Sequence, residues 1–262
     1  MAFVRHLWTQ AISKHHAPAW PCPSCRKGVL RLQKNSLISH ETVASKLQRE
    51  EDYWDPEFYE SAFSCWLKCS VAGCGQDVVV SGYGGIEEYY VQGDEDIDDH
   101  VGHDEYYTPK LMVPMSHMFD IPTDCPKELS RQLRAAFSLY WHDKDAASGR
   151  VRVALELLMD HLNVKRRSKR SNGKITNLTL HERIEIYQAI DSSIGSQLMA
   201  LKWLGNTGSH DSGIPRDDLL DAFEIFDHVL TEIFEQRAKQ VMALAKKMTS
   251  KHAPHRRKKK KP

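Results

Sequence analysis

The chain has 262 residues, enough for one large domain or two small ones, and its 41% hydrophobic content implies a folded protein rather than a disordered polymer. Its formal net charge of +1 conceals a division, because Arg256, Arg257, Lys258, Lys259, Lys260 and Lys261 form a basic tail and leave 30 basic against 35 acidic residues, or −5, in the body. No apolar run approaches the roughly twenty residues of a membrane span, and no signal-peptide core opens the chain, so a cytoplasmic protein without a membrane partner is expected. Its six cysteines then read as thiols or metal ligands rather than as disulfides.

Phe3, Val4, Leu7, Trp8, Ala11 and Ile12 sit at helical spacing and predict a short amphipathic helix. Two cysteine turns follow, Cys22-Pro23-Ser24-Cys25 with Gly28 after it, and Cys69 to Cys74 with Gly73 inside it and Gly75 after it. A Cys-x2-Cys turn aims two thiolates at one ion, and the glycines permit the tight backbone that a four-sulfur tetrahedral site needs. Cys22, Cys25, Cys69 and Cys74 are therefore the expected ligands of a structural Zn2+ in a ribbon-like region, with free structural thiols as the alternative. Phe63, Cys65 and Leu67 alternate with polar residues, so Cys65 reads as part of a strand leading into the second turn, and Val78 to Val80 as the returning strand. Between the turns, 41–52 reads as a polar helical insertion. Asp94, Glu95, Asp96, Asp98, Asp99, Asp104 and Glu105, with His100 and His103, read as a solvated acidic loop, since the spacing matches no calcium loop.

Pro126 suits a helix start, and Leu129, Leu133, Ala136, Phe137 and Tyr140 supply one apolar face. Val151, Ala154, Leu155, Leu158 and Leu162 supply a second, expected to form a hairpin with the first. On that second helix Arg152 and Glu156 are spaced for an ion pair. Lys165, Arg166, Arg167, Lys169 and Arg170 then form a cationic loop, expected to be exposed and flexible. Thr179 and Glu182 fit a capping box, and Ile194, Leu198, Leu201 and Leu204 mark the next helix. Lys202, Asn206 and His210 fall near one another on another face of it, if the helix runs through Gly205 and Gly208. After Pro215 a last helix carries Leu219, Phe223, Phe226, Val229, Leu230 and Ile233, and reaches towards Met248.

The frame Lys202-x-x-Gly205-Asn206-x-x-x-His210 resembles the Arg-x-x-Gly-Asn-x-x-x-His pattern of the domain of unknown function 4145 family, over a segment from about Pro122 to Glu235. That family is grouped with the HEPN superfamily of prokaryotic helical domains. The resemblance implies a HEPN-like helical bundle of about five helices in 121–248; with the cysteine turns and the tail's lack of an apolar face, the expectation is an α+β, mainly α chain, with a small zinc-ribbon region in 1–120 and a disordered basic tail in 249–262. The resemblance also implies a nucleic-acid-associated protein of a prokaryotic defence or toxin system that pairs as a homodimer, since HEPN catalytic sites form between two subunits.

In a catalytic version His210 would act on the RNA 2′-hydroxyl as a general acid or base, Lys202 would hold the phosphate and Asn206 would orient it. Arg152 is a candidate to complete that site in space. Lys202 stands where the family has arginine, and an ammonium lacks the planar fork that grips phosphate in two places. The favoured expectation is an RNA-binding or adaptor protein with a degenerate active site, in which the loop from Lys165 to Arg170 and the tail from Arg256 to Lys261 contact phosphates. A metal-independent ribonuclease and a pure protein-interaction module, with a defence-system protein as partner, are the alternatives.

Overall fold

The computed structural model describes residues 2–91, 100–171, 173–207, 213–235 and 237–252. A single turn of helix, α1 (His6–Thr9), gives way at once to β1 (Ile12–Ser13), which pairs with the sheet at Tyr106 and Tyr107. The expected longer helix is therefore absent: Trp8 and Ile12 are both buried, but one sits on helix and the other on strand. β2 (Leu30–Leu32), β3 (Ile38–Glu41), α2 (Val43–Gln48) and β4 (Glu60–Cys69) follow. The sheet is completed by β5 (Asp77–Val91) and β6 (His100–Val113), in the antiparallel order β1-β6-β5-β4-β2 with β3 also on β4.

This overturns the expected mainly helical chain with a small β region: a six-stranded antiparallel sheet stands beside eight helices among the described residues. The strands run far beyond the cysteine turn because glycines that resemble turn signals serve here as floors for tyrosine rings. Gly85 lies opposite Tyr106 and Gly102 opposite Tyr89, and a Cβ at either glycine would stand 2.7 Å or less from its partner's ring or hydroxyl. His100 to Glu105, expected in the acidic loop, belong to β6, where His103 Nε2 lies 2.9 Å from Glu88 Oε1; 92–99 lie outside the described residues.

Strict alternation along β4 divides the faces. Phe63, Cys65, Leu67 and Cys69 point inward with Val78, Val80, Tyr107 and Met112, while Trp66 on the other face is 52% exposed.

The helical half contains α3 (Lys127–Leu139), α4 (Lys144–His161), the small hairpin β7 (Arg167–Lys169) and β8 (Ile175–Asn177), α5 (Leu180–Gln188) and α6 (Ser192–Thr207). α7 (Arg216–Leu230) passes through one π-helical turn, Thr231–Glu235, into α8 (Arg237–His252), so the expected final helix is interrupted. Asp143 caps α4 by accepting from the Ala146 N–H at 2.8 Å, and Thr179 and Glu182 close the expected capping box on α5. Leu133, Phe137, Leu155, Leu158, Leu198, Phe223 and Phe226 form its interior, in one buried cluster with the inner face of the sheet.

Three indoles, Trp8, Trp20 and Trp141, meet where the amino-terminal segment crosses the helices, with ring centroids 5.5–6.5 Å apart. The Phe3 N–H donates to Asp227 on α7 at 2.9 Å. No helix among the described residues is long and apolar enough to cross a membrane.

Candidate metal centre and basic cleft

The first cysteine turn begins where Pro21 bridges Val29, which brings the chain back on itself. The Cys22 N–H donates to Gly28 O at 2.8 Å, and Arg26 takes a left-handed φ of 55° to close the turn. The second begins at Cys69, the last residue of β4. The Cys69 N–H donates to Gln76 O at 2.9 Å, the Cys74 N–H to Val71 O at 2.9 Å, and Gly75 has φ 65°. Pairing of Leu30 with Cys69, and donation by the Ser70 N–H to Val29 O at 2.8 Å, dock one turn on the other.

The result is a cluster of four sulfurs. Cys22 Sγ lies 3.7 Å from Cys74 Sγ and Cys25 Sγ 3.6 Å from Cys69 Sγ, and all four lie within 4.8 Å of one another. Cys22 and Cys69 are buried, and Cys25 and Cys74 half-buried. The four can hold a metal ion, and they are the ligands expected from the sequence.

The thiols are electrostatically unequal. N–H groups of Gly28 and Lys27 bring Cys25 down to about 6. At Cys69 the Val71 N–H pulls the same way, but burial and the neighbouring sulfurs outweigh it and push that thiol up to about 12. A cation among them would offset that crowding by favouring thiolate at every position. Cys65 stays outside the cluster, on the inner face of β4, where burial raises it to about 12.

The basic segment is not the flexible loop its composition suggests: it is the β7–β8 hairpin, and two of its cations are held. Arg166 grips Asp160 with two nitrogens, Nε at 2.8 Å from Oδ1 and Nη2 on Oδ2, and Arg170 donates to Glu182 at 2.7 Å. Arg167 donates to Asn177 across the hairpin at 3.1 Å, and Lys165 and Lys169 are exposed. Beneath it opens a polar cleft of about 500 Å³ lined by Arg152, Glu156 and Asp160 of α4, Arg166 and Arg167 of the hairpin, and Arg183 of α5.

Arg152, named from the sequence as a possible partner of His210, thus shares a site with Arg166 and Arg167, and lies 3.8 Å from Glu156 as its spacing predicts. Arg183 was not foreseen, although an arginine on the apolar stripe with Leu180 and Ile184 is itself a sign of a built ion pair. It is 6% exposed and donates to Asp160 at 2.6 Å and to Val164 O at 3.0 Å. Hydrogen bonds from Arg166 and then Arg183 hold the Asp160 carboxyl below its usual range.

Of the other expected residues, Lys202 is only 8% exposed, with Nζ 3.5 Å from the centre of the Trp203 ring. Asn206 falls in the last turn of α6. His210, and Arg256 to Lys261, lie outside the described residues.

Fold and site define a chain in two parts, an antiparallel sheet carrying a four-cysteine cluster and a helical half carrying an arginine-lined cleft. Residues 10–112 match the model of one domain of unknown function, DUF8608, and residues 134–251 that of another, DUF4145, the family that the Lys202 to His210 frame resembles. No curated protein and no solved structure matches the chain significantly.

Proposed function

We propose that this protein binds nucleic acid without cutting it, as an adaptor whose amino-terminal half is stapled by a structural zinc ion. The observation that carries the reading is the gathering of Arg152, Arg166 and Arg167 around one cleft, with Lys165 and Lys169 exposed beside it. Cations held on a rigid hairpin meet phosphates with less loss of freedom than cations on a loop, and they attract the polyanion at a distance. Lys202, by contrast, is a nearly buried residue whose ammonium rests on the Trp203 indole, which argues against its service as a phosphate clamp.

Zinc is favoured at the cysteines because a tetrahedral ion with sulfur bonds of about 2.3 Å has sulfur–sulfur edges of about 3.8 Å, close to the 3.6 and 3.7 Å seen. Four protein ligands leave no position for a substrate, so the ion's part would be to hold the fold.

The test is incubation of the purified chain with mixed-sequence RNA in EDTA, alongside His210→Ala, with binding followed at two salt concentrations. Salt-sensitive binding without cleavage, equal in both proteins, is expected. Cleavage lost in the variant would replace this reading with a ribonuclease, and neither binding nor cleavage would turn attention to a protein partner.

A further inference from the structure

We propose that the cleft between α4, the β7–β8 hairpin and α5 is a binding site for a phosphomonoester, the terminal phosphate of an oligonucleotide or of a free nucleotide. The oligonucleotide source rests on the nucleic-acid reading above; the site itself does not.

The first argument is charge. Arg152, Arg166, Arg167 and Arg183 line the cleft against Glu156 and Asp160, which leaves a net charge of +2 around one cavity. A phosphomonoester carries about −1.5 to −2 at neutral pH, whereas each phosphodiester of a chain interior carries a single charge.

The second is preorganisation. Arg152, Glu156 and Asp160 recur every four residues and so form one stripe down α4. Asp160, in the last turn, serves two guanidiniums at once: it accepts from Arg166 Nε at 2.8 Å and from Arg183 Nη2 at 2.6 Å. Arg183 is further held by Val164 O and, at 3.5 Å, by Glu156 O, while its Nε has no hydrogen-bond partner among the described residues. A buried guanidinium paired with a half-buried carboxylate thus fixes the floor, and Arg152 and Arg167 stand as the walls. Planar guanidiniums held in place are suited to gripping the oxygens of a phosphate in pairs.

The third is size. A cavity of about 500 Å³ falls within the range of small-molecule sites, so it accommodates one nucleotide or the end of a strand.

The experiment uses the full chain and a short single-stranded oligonucleotide with a hydroxyl at both ends, compared with the same sequence phosphorylated at the 5′ end or at the 3′ end. Binding is read by fluorescence anisotropy, with inorganic phosphate and AMP as competitors. One phosphorylated form is expected to bind at least about tenfold more tightly than the hydroxyl form, as one charge-assisted hydrogen bond would supply. Arg152→Gln and Arg167→Gln, both at the cleft wall, are expected to erase that difference, so that each variant binds the hydroxyl and the phosphorylated forms alike.

Equal binding of all three oligonucleotides would overturn the phosphate site and leave the nucleic-acid reading standing. Binding of AMP or phosphate with no binding of any oligonucleotide would support the site and overturn that reading. No binding of any probe would overturn both. Arg183→Lys tests the floor separately, because circular dichroism distinguishes a misfolded variant from a folded one that has lost the preference.

Discussion

Gly28 leaves room for the sulfur of Cys69: a Cβ at residue 28 would stand 2.6 Å from Cys69 Sγ and 2.8 Å from Cγ2 of Val71. The two cysteine turns are therefore packed against each other through a missing side chain, and the four sulfurs can close only while it is missing. Gly28→Ala should displace Cys69 and cost about 1–3 kcal/mol, the usual range for overpacking. Competition with a chromophoric zinc chelator should show weaker metal retention in the variant, alongside a lower melting temperature. Unchanged retention would mean that the second turn yields without loss and that this contact does not set the site.

A second prediction separates the cysteines. Cys65 lies on the inner face of β4, 1% exposed, its thiol raised by burial, and takes no part in the sulfur cluster. Cys65→Ala should keep one metal ion per chain and cost about 1 kcal/mol from the small cavity it leaves. Cys22→Ser and Cys74→Ser should each lose the ion, and with it the protection of the 20–30 segment against proteolysis. Metal analysis of the three proteins decides the matter, and retention of the ion in both serine variants would remove these residues from the ligand set.

The cysteines were legible in the sequence because their chemistry needs a short spacing and a nearby glycine, and Cys65 was correctly set aside by strand alternation. Thr179 with Glu182, and the apolar stripes of α3, α4 and α7, were legible for the same reason: each is a local pattern. The extent of β5 and β6 was not, since Gly84, Gly85 and Gly102 read locally as breakers and the facing tyrosines, on another strand, explain them, while Gly82 admits the close approach of the β6 backbone at Thr108. Nor was the β7–β8 hairpin, whose cations suggest a solvated loop until Asp160 and Glu182, on the helices that flank it, are seen to hold Arg166 and Arg170. The cleft itself depends on Arg183, whose role comes from a partner twenty-three positions away.

Glu182 should make stability depend on acid. The Thr179 N–H, then Arg170 and the Thr179 hydroxyl, hold its carboxyl down at about 2, well below the usual carboxylate range. A depressed folded-state value means that the contribution is fully present above the unfolded carboxylate's range and is lost as the pH falls towards about 2. Glu182→Gln keeps an oxygen for the cap but removes the charge. The wild type should be the more stable of the two at neutral pH, and urea unfolding at successively lower pH should show the gap closing through that window. A gap that does not change with pH would mean that the charge contributes nothing and only the shape of the cap matters.

Trp20 is the strongest test of whether sheet and helices unfold together. Its indole is fully buried, donates from Nε1 to Leu7 O at 2.6 Å, and meets Trp8 and Trp141. Trp8 O in turn accepts from the Tyr140 hydroxyl at 3.1 Å, and that hydroxyl accepts from Arg216 Nε at 2.8 Å, so a continuous chain of contacts links the segment before the first cysteine turn to α7. Trp20→Ala removes the centre of this junction and should cost about 3–5 kcal/mol. Because the buried residues of both halves form one cluster, the wild type should lose its near-ultraviolet aromatic signal and its far-ultraviolet backbone signal in one coincident transition. In Trp20→Ala the whole transition should move to lower denaturant. If only the aromatic signal moved and the backbone transition split in two, the halves would be separate folding units that merely touch at the indoles.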